Sequence, residues 1–550
     1  MKMHQIHRYM STQKVTCLLL FVLMIASRIG GSLFSLVMSS LVDCAGKSTQ
    51  ELVRILLGSI AFVTVSVSLE LFYYYVKTKL LTNARYGLKR DLFAGIMNRS
   101  VSDFDAGNSA EYINELGNNV NLLESVYFGN LISLLENLVR FGSAAVICIM
   151  IQPIMLALMI FLALAASVVS RLTSGPLEKA MDKQVKCTEA YTAEIKDDFG
   201  AFRLIRSYGA LSFILQKHDR KNRDAETAKR QNANRRTLCM IAGELIGLFS
   251  TVLVMGLAAY FSLNGMFSAG LVIAFGHLIG HIVSPITQIP SIIANFHASK
   301  PLLERFSALL EQKDDTGSKD LHDFRQAVAL ENLSFGYGEG KNVLQNLSFR
   351  FEADKHYLVV GSSGSGKSTL LSLLSGYYPD YNGSILIDGV ELRQLKRESL
   401  SSLIGTVSQD TFLFQDTIRN NISLYDESYE TSEIEAALEQ AGLKPLIDSL
   451  PEGLSTVISE NGKNFSGGER QRLSLARALL RKSRILLLDE FTANLDKETA
   501  ARIEDELLQR TDCLTITVTH HLRPDSLHRY DGQLSIERQS PRSVCSNNGQ

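Results

Sequence analysis

The string GSSGSGKST at 361–369 is the part of the chain whose residue types and spacing most directly imply chemistry. It fits G-x-x-x-x-G-K-[ST], in which glycines let backbone N–H groups close around phosphate, Lys367 reaches the outer phosphates and Ser368 holds Mg²⁺. Gly361, Ser362, Ser363, Gly364, Ser365, Gly366, Lys367, Ser368 and Thr369 are therefore the candidate nucleotide-binding set. A strand-like run, YLVV at 357–360, leads into the loop and a helix-like run, LLSLL at 370–374, leads out, which is the context the motif requires. Further on stand FSGGERQR at 465–472 and ILLLDE at 485–490. Asp489 ends an apolar strand, where a carboxylate is stranded unless it meets a cation, and Mg²⁺ with its water is the natural partner. Glu490 follows directly.

These residues need elements to position them, and 550 residues are too many for one ordinary core. Composition changes near residue 295, from long apolar runs to short strand-like runs rich in charge. A net charge of −1 gives no sign of a nucleic-acid partner. The seven cysteines, Cys17, Cys44, Cys148, Cys187, Cys239, Cys513 and Cys545, are scattered and lack metal-ligand spacing, so they imply neither a disulfide framework nor a metal site. The basic N-terminal stretch precedes an apolar run too long for a signal peptide and is expected to remain as a cytoplasmic lead into the first span.

Six stretches, 15–42, 52–76, 126–151, 154–172, 238–263 and 271–293, approach or exceed the ~20 apolar residues that cross a bilayer. Lys77, Lys79, Arg85, Lys89, Arg90 and Arg99 crowd the loop after the second span, and a longer basic loop, from Arg171 to Arg236, follows the fourth. The connections on the other side are short and nearly free of Lys and Arg, which places both long loops and both termini in the cytoplasm. Helix-forming composition in those loops suggests helices extending well beyond the membrane, with tips at Asp103-Phe104-Asp105 and at FGAFRLIRSY, 199–208. Arg28, Glu70, Glu136, Arg140, Glu244, His277 and His281 interrupt the apolar runs, and such groups face a protein interior or a water-filled cavity. Glu136 and Arg140 are four apart, can pair on one helix face and are read as structural groups; His277 and His281 share a face by the same spacing, read either as structural groups or as lining for anionic or metal-bearing cargo.

From residue 327 onward the order of strings, AVAL at 327–330, SFGY at 334–337, GSSGSGKST, VSQD at 407–410, FSGGE, ILLLDE, NLD at 494–496 and THHL at 519–522, resembles the nucleotide-binding domain of ATP-binding cassette (ABC) transporters. With six spans ahead of it, the chain looks like a half-transporter of the exporter type. The fold expected is multidomain: an all-α six-helix transmembrane domain at 1–300, a linker at 301–326, an α/β P-loop ATPase domain at 327–538 and a disordered tail at 539–550. The resemblance makes the two loop tips coupling helices. It implies that Tyr337 stacks on adenine, that Ser368, Gln409 and Asp489 hold Mg²⁺, that Glu490 polarises the attacking water and that His520 contacts the terminal phosphate. Ser466, Gly467 and Gly468 would meet the ATP of a second chain, with Asp496 linking across, so a homodimeric or heterodimeric partner half-transporter is implied.

The signature departs from the family's usual Leu-Ser-Gly-Gly-Gln at Phe465 and Glu469, and the glutamate adds negative charge near the nucleotide. The closing helices of the domain look reduced, and no protease-like domain precedes the spans, so processing of a peptide leader is not expected. The expectation is ATP-driven export through a plasma membrane, of a cargo that the sequence does not identify. Uptake of a metal chelate, or a membrane-tethered regulatory ATPase, stays open as an alternative.

Overall fold

The computed structural model describes residues 8–44, 48–105, 107, 109–311, 317–338, 342–409, 411–519 and 526–537. They gather into two compact units, one holding the described residues of 1–97 and 109–311, the other those of 98–108 and 312–550. The tail at 539–550 lies outside the described residues.

The first unit is helical. Its long helices are α1 (Lys14–Val42), α2 (Thr49–Met97), α3 (Asn130–Ile151), α4 (Pro153–Gly200), α5 (Leu211–Leu263) and α6 (Gly270–Leu310). Among the described residues, five helical stretches are long and apolar enough to cross a membrane; the expected fourth span corresponds to a shorter apolar stretch, Pro153–Val168, at the start of α4. Apolar residues point both ways, as a lipid solvent allows. Leu18, Phe249 and Val252 are exposed, while Leu20 and Met24 of α1 pack with Tyr73, Val76 and Leu80 of α2, and Ala144, Met155, Val254 and Phe275 join α3 to α6. α6 runs through Pro285, Pro290 and Pro301 to Leu310, each proline removing one N–H without ending the helix.

The pairing of Glu136 with Arg140 that helical spacing allows is not what the structure contains. Glu136 faces α1 and α2 instead, where Lys77 Nζ lies 2.8 Å from Oε1, Arg28 Nη2 lies 3.9 Å from Oε2 and the Tyr73 hydroxyl donates to the carboxylate. Arg28 also reaches Glu70, at 3.2 Å. Neighbouring helices thus supply the cations that spacing within α3 suggested could come from one turn away.

The second unit contains two sheets. An antiparallel sheet has the order β2-β1-β4-β5, formed by β1 (Ala327–Phe335), β2 (Leu344–Glu352), β4 (Asn382–Ile387) and β5 (Val390–Glu391). A parallel sheet has the order β6-β7-β8-β3-β9, formed by β3 (His356–Val360), β6 (Ile404–Val407), β7 (Ile485–Asp489), β8 (Leu514–Val518) and β9 (Gly532–Ser535). The unbroken apolar run of β7 follows from burial on both faces. Ile485 and Leu487 enter the core shared with Phe351, Leu370 and Ile516, whereas Leu486 and Leu488 enter a second core with Ile434, Leu438 and Leu473. That second core is built on short helices and on the helix Gly467–Leu480. β9 shows that the chain after residue 530 closes the sheet edge with a strand.

His356 opens β3. Its backbone N–H donates to Asp531 Oδ2 at 2.8 Å and its ring Nε2–H to the Arg510 carbonyl at 2.9 Å. Burial lowers the ring pKa below its ordinary 6.5. The neutral ring is therefore the folded form, and its contribution is complete above pH 6.5 and lost as pH falls below that value. Hydrogen exchange of the β3 amides in the full chain is expected to speed up as pH is lowered through 6.5, after correction for intrinsic rates. His356→Gln should flatten this dependence; an unchanged profile in that variant would contradict the assignment.

Candidate functional site

Strand register brings the sequence-predicted residues together. Val359 of β3 pairs with Val518 of β8, Val518 with Asp489 of β7, and Leu488 with Val407 of β6. The residues just past these strand ends, the 361–369 loop, Glu490 and Gln409, must then emerge along one edge of the sheet. Gln409 Nε2 donates to Glu490 Oε2 at 2.9 Å. Asp489 is buried, 9% exposed.

Glu490 sits in the left-handed region, with φ 48°, a conformation that costs a non-glycine residue about 1–3 kcal/mol and persists only where its surroundings impose it. They do so through the backbone. Glu490 N–H donates to the Val518 carbonyl at 2.9 Å, and the Glu490 carbonyl accepts from Gln471 Nε2 at 2.7 Å. Gln471 Oε1 also accepts from Asn494 N–H at 3.3 Å, and the side chain is 2% exposed. Sequence reasoning missed Gln471; the available signal was a polar residue on the apolar face of the helix that FSGGERQR begins.

The phosphate loop leads into α7 (Lys367–Leu374). Gly364 and Gly366 have φ of 74° and 103°, and a Cβ at Gly366 would come within 2.8 Å of Leu344 and 2.9 Å of Val343, so glycine is required there both by dihedral and by space. Lys367 is buried, and Nζ donates to the carbonyls of Gly361 at 2.9 Å and Ser362 at 3.0 Å, with no carboxylate partner among the described residues. The Ser365 hydroxyl is likewise buried with no hydrogen-bond partner among the described residues. A buried ammonium and an orphan hydroxyl at a helix N-terminus fit an anionic group. Ser362, Ser363 and Ser368 are exposed along the loop, and Thr369 Oγ1 lies 3.1 Å from the Tyr337 hydroxyl. The Tyr337 ring is 49% exposed and braced edgewise by Phe335 and Tyr378.

Ser466 is the N-cap of α8 (Gly467–Leu480). Its hydroxyl accepts from Glu469 N–H at 3.3 Å while Glu469 Oε2 accepts from Ser466 N–H at 2.7 Å, a reciprocal capping box. The departure at Glu469 thus has a local use, since its carboxylate is committed to the helix end. Phe465 is buried in the second core, where an aromatic ring replaces the family's leucine. A Cβ at Gly468 would lie 2.6 Å from the Asn494 carbonyl, whereas one at Gly467 would meet nothing nearer than 3.6 Å. Asp496 caps α9 (Lys497–Leu507) by accepting from Thr499 N–H at 2.9 Å, a bond that holds its carboxyl below the usual range. His520 lies outside the described residues.

The first loop tip forms a short helix, Val101–Asp105, within the second unit. Tyr378 donates to Asp105 Oδ2 at 3.2 Å, and burial, with Tyr337 and Asp105 adding to it, pushes the Tyr378 hydroxyl up to about 12. Its ring lies 5.4 Å from that of Tyr337. The second tip, around the helix Phe202–Ser207, exposes Phe199, Phe202 and Tyr208 in the first unit.

Comparison with known proteins matches this architecture. Residues 17–286 match the family described as ABC transporter transmembrane region, and residues 344–493 that described as ABC transporter. An uncharacterised ABC transporter ATP-binding protein of Bacillus subtilis, YwjA, is 28% identical over 523 residues, covering 91% of this chain and 89% of that protein. An ATP-dependent lipid A-core flippase of Photobacterium profundum is 28% identical over 457 residues, covering 81% and 76%. The structure of a bacterial Atm1-family ABC exporter with ATP bound has the same fold, with a TM-score of 0.81 at 22% identity over 96% of this chain and 95% of that one. The chain belongs to the ABC transporters and is an exporter-type half-transporter, a membrane domain followed by an ATP-binding domain. It is a multi-pass membrane protein whose ATP hydrolysis is coupled to transport.

Gln471→Leu keeps the side-chain volume but leaves the Glu490 carbonyl and Asn494 N–H unsatisfied. It is expected to lower the ATPase kcat about tenfold or more with little change in KM for ATP, because the turn carrying Glu490 loses its restraint. A steady-state assay showing an unchanged kcat would contradict that role.

Proposed function

We propose that two copies of this chain assemble into an exporter with two ATP sites, each made by the 361–369 loop of one chain and the Ser466, Gly467 and Gly468 turn of the other, with Asp496 linking across. The observation that carries the catalytic reading is the Gln409 to Glu490 hydrogen bond of 2.9 Å at the sheet edge where the phosphate loop also emerges. Gln409 commits its amide N–H to Glu490 and keeps its amide oxygen as a ligand atom for Mg²⁺. Glu490, fixed by its own backbone bonds, takes the proton of the attacking water as the bond from the terminal phosphate to ADP breaks. Tyr337 offers its exposed face to adenine, Lys367 neutralises the outer phosphates, and His520, by its place in the order of motifs, contacts the terminal phosphate. Mg²⁺, held by Ser368, Gln409 and Asp489, would neutralise charge building up on the transferred group.

The membrane domain takes up most of residues 1–300, the chain crosses over within 301–326, and the ATPase domain follows from 327. The protein sits in a plasma membrane with both termini cytoplasmic, a reading supported by the Lys and Arg residues in the loops after the second and fourth spans. The exposed Phe199, Phe202 and Tyr208 supply an apolar tip suited to docking on the partner's ATPase domain, and the Tyr378 to Asp105 bond supports a docking role for the first tip. A heterodimer with a related half-transporter would use the same contacts.

Glu490→Gln, assayed in lipid nanodiscs beside the wild type, is expected to bind ATP normally and hydrolyse it about a hundredfold more slowly or worse. Turnover at the wild-type rate would remove Glu490 from the catalytic role.

A further inference from the structure

A cavity of about 510 Å³ opens within the helical unit, bordered by Arg140 of α3, Thr251 of α5, and His277, His281 and Ser284 of α6. Glycines make the room, since a Cβ added at Gly247 or Gly280 on its wall would meet nothing within 4 Å. The volume falls in the range of small-molecule sites, about 300–1,000 Å³.

Charge in this region is unevenly matched. Arg28 and Lys77 are balanced by Glu70 and Glu136, two cations against two carboxylates. Among the described residues Arg140 has no ion-pair partner and no carboxylate borders the cavity; Glu244, on the same helix as Thr251, is exposed and stands outside the lining. His281 Nδ1 lies 3.4 Å from Ser32 Oγ, which is itself 2.7 Å from Ser143 Oγ, and the His277 ring packs 5.2 Å from that of His281. One nitrogen of His281 is thus tied to a hydroxyl chain, which orients the ring against the cavity wall. An uncompensated guanidinium amid apolar helices is costly, and an anion is the ligand that removes the cost.

We propose that this cavity binds the anionic group of the transported molecule, a phosphate or carboxylate, with Arg140 as the charge partner and His277, His281 and Ser284 as supporting hydrogen-bond groups. The inference rests on the reading of the helical unit as a cargo pathway and adds the class of cargo. The same chemistry would suit the headgroup of an amphiphile or a small free anion.

The test is equilibrium binding to the full chain in phosphatidylcholine nanodiscs, using dansyl-labelled dodecyl probes that differ only in a phosphate, maltoside or trimethylammonium head. The phosphate probe is expected to bind about tenfold tighter than the other two. Arg140→Gln should abolish that preference and Arg140→Lys should keep most of it. Gly280→Leu, which raises helix propensity while filling the cavity, should weaken binding of the phosphate probe. Displacement by inorganic phosphate at millimolar concentration would identify a free anion as the ligand, and resistance to it an amphiphile; either result supports the anion site. Equal binding of all three heads by the wild type, a preference that survives in Arg140→Gln, or unchanged binding in Gly280→Leu would overturn it. Basal ATPase activity measured on the same samples separates the two readings. Head preference without ATP turnover would remove the exporter mechanism and leave the site, whereas turnover without preference would remove the site alone.

Discussion

Charge held at the ends of buried parallel strands is the constraint on which the rest of the ATPase unit depends. β7 is apolar on both faces because two cores meet it, and its last residue, Asp489, carries a carboxylate into that setting. Such a residue is tolerable only where a sheet edge opens onto polar chemistry. The register of β3, β8, β7 and β6 creates that edge, and the left-handed turn at Glu490 aims the next carboxylate along it. Gln471 and the Val518 carbonyl hold the turn by its backbone, so the side chain of Glu490 stays available to Gln409. Precision at the site therefore comes from groups that never need to touch a nucleotide.

The sequence made some of this legible and hid the rest for identifiable reasons. The phosphate loop is readable because its chemistry is local: glycine dihedrals, a lysine and a helix start fit within 361–369. The long helices and the two-unit division are readable from apolar run lengths and from the change in composition. Gln471 was hidden because its partners, at 490 and 494, lie far off in sequence and are brought near only by packing of α8 on β7. Glu469 looked like an electrostatic liability because a string does not show where a carboxylate points; in the structure it closes a capping box. Glu136 is structural, as read from the sequence, but with partners other than Arg140, since helical spacing finds neighbours on one helix while a bundle supplies nearer ones from others.

In the helical unit the same physics sorts the ionisable residues. Those that meet partners across α1, α2 and α3 form a neutral brace that fixes helix positions, and brace residues are poor candidates for contact with cargo. Arg140 stands apart from that brace, one turn from Glu136 yet facing a different space. Two charges one turn apart on one helix can thus meet different surroundings, and only their partners separate them.

In the proposed dimer each ATP site is completed by a second chain. The most direct measurement uses two inactive variants, Lys367→Ala and Ser466→Arg, carrying different tags and co-purified as a mixed dimer. Sites shared head to tail predict that the mixed dimer regains ATP hydrolysis well above either variant alone, because one of its sites then pairs an intact phosphate loop with an intact Ser466 turn. A mixed dimer as inactive as its parents, although it forms and binds ATP, would contradict the claim.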